Sequence, residues 1–249
     1  MEGDNKKVEL SKFIYRFLSY TSIILKLFLV LYVVVSLVLI LKIHSQDRQY
    51  DLPNLTAVKE PITATELDYS KQPYLGDPDA PVKLVEFGDF KCPACKTFAS
   101  DVKPQLVRDY VDTGKVQFYF INYAFLDRDS YAAAMVGEIL FHQPLGNALF
   151  WQYYDQLYAA QGDVSEIWAT KEFLLNFVHE NMPLVGIVPF KEELVLNQYL
   201  FDVKEDFKVA GALGVNGTPQ FLVNGELYRI NSYDELQAAI ERAIGMKAE

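Results

Sequence analysis

Cysteine is nearly missing from this chain: Cys92 and Cys95 are the only two among 249 residues. So few thiols exclude a disulfide-built scaffold, which needs a denser set of cross-links. Histidine is scarce too, with His44, His142 and His179 alone. A structural zinc site takes about four nitrogen or sulfur ligands, and no second cysteine pair is there to complete one. Positive charge is short outside the N-terminal segment. Residues 1–43 carry six Lys/Arg against three Asp/Glu, whereas the remainder carries 17 against 30. A surface that acidic repels phosphate backbones, so nucleic acid is excluded as a partner. Internal repeats and low-complexity tracts are absent as well. The length suits one elaborated domain with appendages.

One long hydrophobic run is present. Phe17 to Leu41 is apolar apart from Lys26 and a few small polar residues, long enough to cross a bilayer. Lys26 lies near one boundary, where a lysine snorkels toward the head groups. Lys6, Lys7, Lys12 and Arg16 precede the run, while Lys42 and Arg48 follow it. The positive-inside rule then predicts a cytoplasmic N-terminus, residues 1–16, and an extracytoplasmic remainder. No small-x-small cleavage site is evident after the run, so a retained signal anchor over 17–41 is expected rather than a cleaved signal peptide. Residues 42–65 read as a linker, part of a proline-bearing, polar stretch that continues to Pro81. Thr63 to Tyr69 is the expected first edge strand.

The two cysteines stand in Lys83-Leu-Val-Glu-Phe-Gly-Asp-Phe-Lys-Cys-Pro-Ala-Cys95. This predicts a buried strand over Val82 to Phe87, a short loop, and a helix from Pro93 to about Asp112. Phe98, Val102, Leu106 and Tyr110 share one helix face, and Pro104 predicts a kink or break near Lys103. Two thiols at a helix start close a small disulfide ring and open it again. The helix N-terminus favours a thiolate at Cys92, with Lys91 and Lys96 expected to add to that field. An inert structural disulfide and a zinc site are the rival readings of such a pair.

Val116 to Asn122 reads as a second strand. A helical block follows, from about Asp127 to Leu213. Asp129 or Ser130 is the expected cap of a helix through Phe141, and Gly146-Asn147 separates it from one over Ala148 to Ala160. A third helix is expected over Ser165 to Glu180, a turn at Pro183 and Pro189, and one long helix from Phe190 to Gly211. The aromatics Phe150, Trp151, Tyr153, Tyr154 and Tyr158 read chiefly as core. Gln220–Val223 and Glu226–Ile230 flank Asn224-Gly225, a type I′ hairpin signal. Ser232-Tyr-Asp-Glu235 fits a capping box for a terminal helix to about Ile244.

That order, with Cys92-Pro-Ala-Cys95 and Gly217-Thr-Pro219 at its two key points, resembles the DsbA-like branch of the thioredoxin fold. Its membrane-tethered form is similar to the BdbD-type disulfide oxidoreductases of Gram-positive bacteria. The resemblance spans roughly Glu66 to Gly245. It implies an α/β thioredoxin fold over 66–249, with an α-helical domain inserted at about 127–213 and one transmembrane helix ahead of it. Cys92 would be the nucleophile and Cys95 the resolving thiol, the two forming a redox-active disulfide with no other cofactor and no metal. Pro219 would be a cis-proline facing them, with the Thr218 backbone open to an extended substrate. Glu86 falls where relatives hold a buried acid beneath the disulfide; its other reading is an outward-facing strand carboxylate. Alternation sets Glu86 on the face of Leu84 and Gly88.

The implied activity is insertion of disulfides into secreted or surface proteins with free thiols, recharged by a membrane quinone-linked thiol oxidase. A reductase of a specialised maturation pathway and a redox-inactive peptide-binding or chaperone module are the alternatives. Ala94, where the strongest oxidants have His, removes one possible cationic stabiliser of the thiolate.

Overall fold

Helix α1, Ile23–Leu41, has a mean hydropathy of 3.0 over 19 residues and none of it is buried. In this computed structural model the described residues are 20–21, 23–41, 51–55 and 66–248, so the predicted start of the apolar run at Phe17 lies outside them. The chain divides into two units, Met1–Gln49 and Tyr50–Glu249; the second carries the sheet and the cysteines.

Of the edge strand expected at Thr63 to Tyr69, residues 63–65 lie outside the described set. Residues 66–68 form no strand, and Tyr69 opens a 3-10 turn, Tyr69–Lys71, capped by the Asp68 side chain. The edge is instead β1, Tyr74–Leu75, which follows Pro73 and pairs antiparallel with β3. Strand β2, Val82–Gly88, is buried along nearly its whole length. The helical run α2 is built from Pro93–Thr97, Phe98–Val102, Lys103–Leu106 and Val107–Val111. Pro104 does not break it. Proline offers no N–H to the preceding turn, and the helix widens to π geometry over Phe98–Val102, with Lys103 N–H reaching back to Phe98 O. Strand β3, Val116–Asn122, pairs parallel to β2 over its full length, from Val82 opposite Val116 to Gly88 opposite Asn122.

Helices α3 (Arg128–Phe141), α4 (Gly146–Ala159), α5 (Lys171–Asn181), α6 (Ile187–Leu196) and α7 (Leu200–Ala212) follow. Asp127, rather than Asp129 or Ser130, caps α3, and Ser130 closes a reciprocal box with it. Asp129 is buried and pairs instead with Lys91. Helix α4 begins at Gly146, two residues before the expected start; a Cβ there would meet Phe141 O at 1.7 Å. The segment from Ser165 to Ala169 is loop, and Thr170 caps α5 by accepting from Phe173 N–H. The single helix expected over Phe190 to Gly211 is two helices, because Asn197 takes a left-handed conformation (φ 54°) that ends α6. Pro189 sits inside the first turn of α6, a position where its missing N–H is not needed.

Strands β4 (Gln220–Val223) and β5 (Glu226–Tyr228) form the predicted hairpin, with positive φ at Asn224 and Gly225. Helix α8 covers Tyr233–Ala248. Ser232 Oγ accepts from Glu235 N–H, but the Glu235 carboxylate reaches Asn231 N–H, one residue further back than the expected box. The sheet order is β1-β3-β2-β4-β5, with β4 antiparallel to β2. Val85 and Phe87 pack on one side of the sheet with Tyr119 and Ile121. Val82 and Leu84 join the larger core on the other, which includes α2 and the helical block. The expected aromatic cluster is core: rings of Phe150, Tyr153, Tyr154 and Tyr158 surround Phe90, just ahead of Cys92.

Candidate active site

The sharp turn between β2 and α2 is fixed by Asp89. Its carboxylate accepts from Lys91 N–H at 2.8 Å and from the amides of Phe125 and Leu126 at 3.0 and 3.2 Å. The loop after β3 is thereby held beside the loop after β2. Cys92 then occupies the N-cap of the helix, with Pro93 in the first turn. At that position no side chain of the usual capping type is present, so the free amides of the first turn face the Cys92 sulfur.

The two sulfurs differ sharply in environment. Cys92 is 7% exposed and Cys95 is fully buried, and both are free thiols. The Cys92 thiol is lowered to about 6, chiefly by a hydrogen bond from Cys95, helped by Thr218 and by the amides of Cys95 and Ala94, against the cost of burial. Burial raises the Cys95 thiol well above its ordinary value, and the nearby Cys92 and Glu86 push the same way. One sulfur is prepared as a thiolate while the other keeps its proton.

The expected contribution of Lys91 and Lys96 is corrected. Lys91 Nζ is buried against the helical block, donating to Asp129 Oδ1 at 2.8 Å and Glu166 O at 2.9 Å. Lys96 Nζ donates to Gln161 O at 3.4 Å. Backbone amides and hydroxyl and thiol donors, not lysine charge, account for the Cys92 thiolate. Asp129 also accepts from the amides of Trp168 and Ala169. Gln161 donates to Phe90 O and Cys92 O at 2.8 and 3.1 Å, so two side-chain ties join the CxxC loop to the helices.

Thr218 and Pro219 arrive from 126 residues away. The Cys92 thiol donates to Thr218 O at 3.3 Å. The Thr218–Pro219 bond is cis, as expected. Thr218 Oγ1 is buried with no partner in the thiol state, which leaves it free to donate to the thiolate.

Glu86 is fully buried, which excludes the outward-facing reading. It lies opposite Phe120 on β3 and Phe221 on β4. Tyr154 Oη donates to Glu86 Oε2 at 2.7 Å, and Oε1 has no partner. Burial raises the carboxyl to about 8, against the opposing pull of the Tyr154 hydrogen bond and of the Lys103 charge. The group is therefore protonated at neutral pH, as a carboxyl in an apolar site should be. Lys103, itself buried, pairs with Asp155 and lies 4.7 Å from the Tyr154 ring centroid.

A groove of about 430 Å³ lies between α2 and the Asn216–Gln220 loop; Ala94 and Thr218 line it but neither cysteine does, and Thr218, whose carbonyl accepts from the Cys92 thiol, joins it to the sulfur. A second hollow, of about 560 Å³, lies between α2 and α4, lined by Lys96, Lys103 and Tyr158 among others, and neither cysteine lines it.

A thioredoxin family model matches residues 68–242. The chain is 43% identical over 176 residues to the probable disulfide bond formation protein D of Bacillus anthracis, an alignment covering 71% of this chain and 80% of that one. The chain belongs to the DsbA-like thioredoxin family of protein disulfide oxidoreductases. Disulfide bond formation protein D of Bacillus subtilis is 33% identical over 174 residues, covering 70% and 77% of the two chains. The crystal structure of oxidised BdbD from Bacillus subtilis superimposes with a TM-score of 0.67 at 30% identity, covering 75% of this chain and all of that one. In this DsbA-like chain, Tyr154, Gln161 and Asp129 are site-building residues that the sequence did not disclose. Their signal is purely tertiary, since each comes from the helical block, Tyr154 to Glu86, Asp129 to Lys91 and Gln161 to the Phe90 and Cys92 carbonyls.

Proposed function

We propose that this chain is an extracytoplasmic disulfide oxidase that inserts disulfides into secreted or surface proteins through a Cys92–Cys95 redox pair. The observation that carries the reading is the asymmetry of the two sulfurs. A client thiolate attacks Cys92 Sγ of the enzyme disulfide; the Cys92–Cys95 bond breaks and Cys95 leaves, taking a proton in its buried site. A second client thiolate attacks the client sulfur of the mixed disulfide and releases Cys92 as a thiolate. The client loses two electrons and two protons; the enzyme gains the two electrons. Stabilising the Cys92 thiolate stabilises the reduced enzyme and so strengthens it as an oxidant. A value of about 6 falls between about 7 for thioredoxin and about 3.5 for DsbA.

Glu86 holds a neutral carboxyl beneath the pair, and Thr218 presents its backbone to the client beside Pro219. Helix α1 serves as the anchor, within a segment 17–41, with residues 1–16 cytoplasmic, 42–65 as linker and 66–249 as the catalytic domain. The charge bias around the run supports this orientation. A membrane quinone-linked thiol oxidase would take the two electrons back from the reduced pair.

The potential of the Cys92–Cys95 couple tests the direction. Equilibration of the whole chain in detergent with glutathione should give a value well above the roughly −270 mV of thioredoxin. A value at or below that figure overturns the oxidase reading in favour of a reductase.

A further inference from the structure

The groove that Thr218 connects to Cys92 has Ala94, Phe98, Thr218, Pro219 and Ile230 in its walls, and Arg229 is its one charged lining residue. Arg229 follows β5 directly. Tyr228 is paired with Phe221, so Arg229 stands next to the Thr218–Gln220 segment. Its guanidinium donates to Asn216 Oδ1, and Asn216 N–H in turn donates to Gln220 Oε1 at 2.7 Å. No carboxylate forms an ion pair with it among the described residues. Glu235, which touches the lining, does so by accepting from Asn231 N–H at 2.8 Å. Arg229 is exposed, and the asparagine contact uses one nitrogen of a fork that carries five donors.

The setting sharpens the meaning of that charge. Residues 44–249 carry 17 basic against 30 acidic residues, a field that by itself favours basic clients. An unpaired guanidinium at the groove reverses the preference locally. An extended client advances about 3.3 Å per residue, so a side chain within two positions of a cysteine docked at Thr218 comes within the reach of Arg229. A guanidinium fork is matched by the two oxygens of a carboxylate.

We propose that Arg229 is a specificity-determining residue, selecting client segments that carry an acidic side chain within two positions of the reacting cysteine. This rests on the oxidoreductase reading and names the client chemistry of the same groove.

The test uses the oxidised full-length chain in detergent and synthetic ten-residue peptides with one central cysteine. The two residues on each side of the cysteine are Asp, Asn or Lys. Peptide charge alters the peptide's own thiol, so the informative quantity is the Asp-to-Lys rate ratio of the wild type divided by that of a variant. For Arg229→Gln the quotient should be about twofold to fivefold, the range of an exposed ion pair. For Arg229→Glu it should be larger, and both should shrink as salt rises from 0.05 to 0.5 M, roughly a threefold fall in screening length. Arg229→Lys should keep the sign of the preference, which separates charge from the Asn216 contact. A quotient of one for both Gln and Glu variants overturns the assignment, as does loss of the preference in the Lys variant with its melting temperature unchanged. Dithiothreitol reactivity of the wild type keeps the two readings apart. Rapid reduction with a quotient of one removes only the role of Arg229; failure of dithiothreitol to reduce a Cys92–Cys95 disulfide removes the exchange chemistry and this proposal with it.

Discussion

The Tyr154 hydroxyl donates to Glu86 at 2.7 Å, joining residues 68 positions apart in the chain. The bond ties the second helix of the inserted block to the acid under the cysteine pair. It is the one hydrogen bond that compensates a carboxyl packed between Phe120 and Phe221. The helical block therefore helps to build the surroundings of the cysteine pair.

Glu86 should leave a signature in the pH dependence of stability. Its folded value is raised to about 8, so the folded chain binds a proton that the unfolded chain releases near the ordinary carboxyl value. The associated stability is complete below about pH 4.3, declines at up to about 1.4 kcal/mol per pH unit, and is gone above about 8. Glu86→Gln has no such loss. Unfolding of the reduced chain in urea should show the Gln variant gaining on the wild type from pH 5 to about pH 8, then levelling off. A difference that stays constant across that range counts against a buried, protonated Glu86.

Alkylation of the reduced chain should label Cys92 with a midpoint near pH 6 and leave Cys95 untouched. Thr218→Val keeps the shape of the side chain and removes its hydroxyl donor, so the midpoint should rise. Lys96→Gln should leave it close to the wild-type value, because Lys96 is engaged with Gln161 O. Mass mapping of the label over a pH series decides all three. Labelling of Cys95 first, or a wild-type midpoint near the free-thiol value of about 8.5, contradicts the assignment.

Lys91 and Asp129 are both almost fully buried and paired at 2.8 Å. Removing one partner strands the other charge, which costs about 3–5 kcal/mol. Lys91→Met alone should lower the unfolding free energy by that order. Lys91→Met combined with Asp129→Asn should recover part of the loss, since the asparagine carries no charge and still offers an oxygen to the Trp168 and Ala169 amides. A single variant as stable as the wild type would show that the ion pair does not hold the CxxC loop to the helices.

The proposed anchoring through α1, and its orientation, can be tested with protease. Cells stripped of their wall and treated from outside should lose the domain beyond residue 66 while their cytoplasmic proteins stay whole. Full protection of the domain would place it in the cytoplasm, where thiols are kept reduced, and would remove the oxidase reading.

Much of this protein was determined by short-range sequence. Strand β2, the CxxC helix start, strand β3 and the Asn224-Gly225 hairpin follow from burial pattern and turn chemistry, which act within a few residues. Cys92 and Cys95 were legible for the same reason, as two thiols at a helix start. Boundaries in the helical block were less so: Asp127 displaced Asp129 as the cap, and Asn197 divided one expected helix into two, both local choices that periodicity does not resolve. What tertiary structure alone decided is the electrostatics of the site. Lys91 reads as a cation beside Cys92 until the fold gives its charge to Asp129, 38 positions on. Glu86 keeps an outward-facing reading beside that of a buried acid until the fold covers it and Tyr154 reaches it from the helices. Thr218 reaches the Cys92 sulfur only after β4 pairs onto β2, and Arg229 comes beside the Thr218–Gln220 segment only after β5 pairs onto β4. A side chain's charge is set by its neighbours in space, and in this fold the decisive neighbours lie far away in the chain.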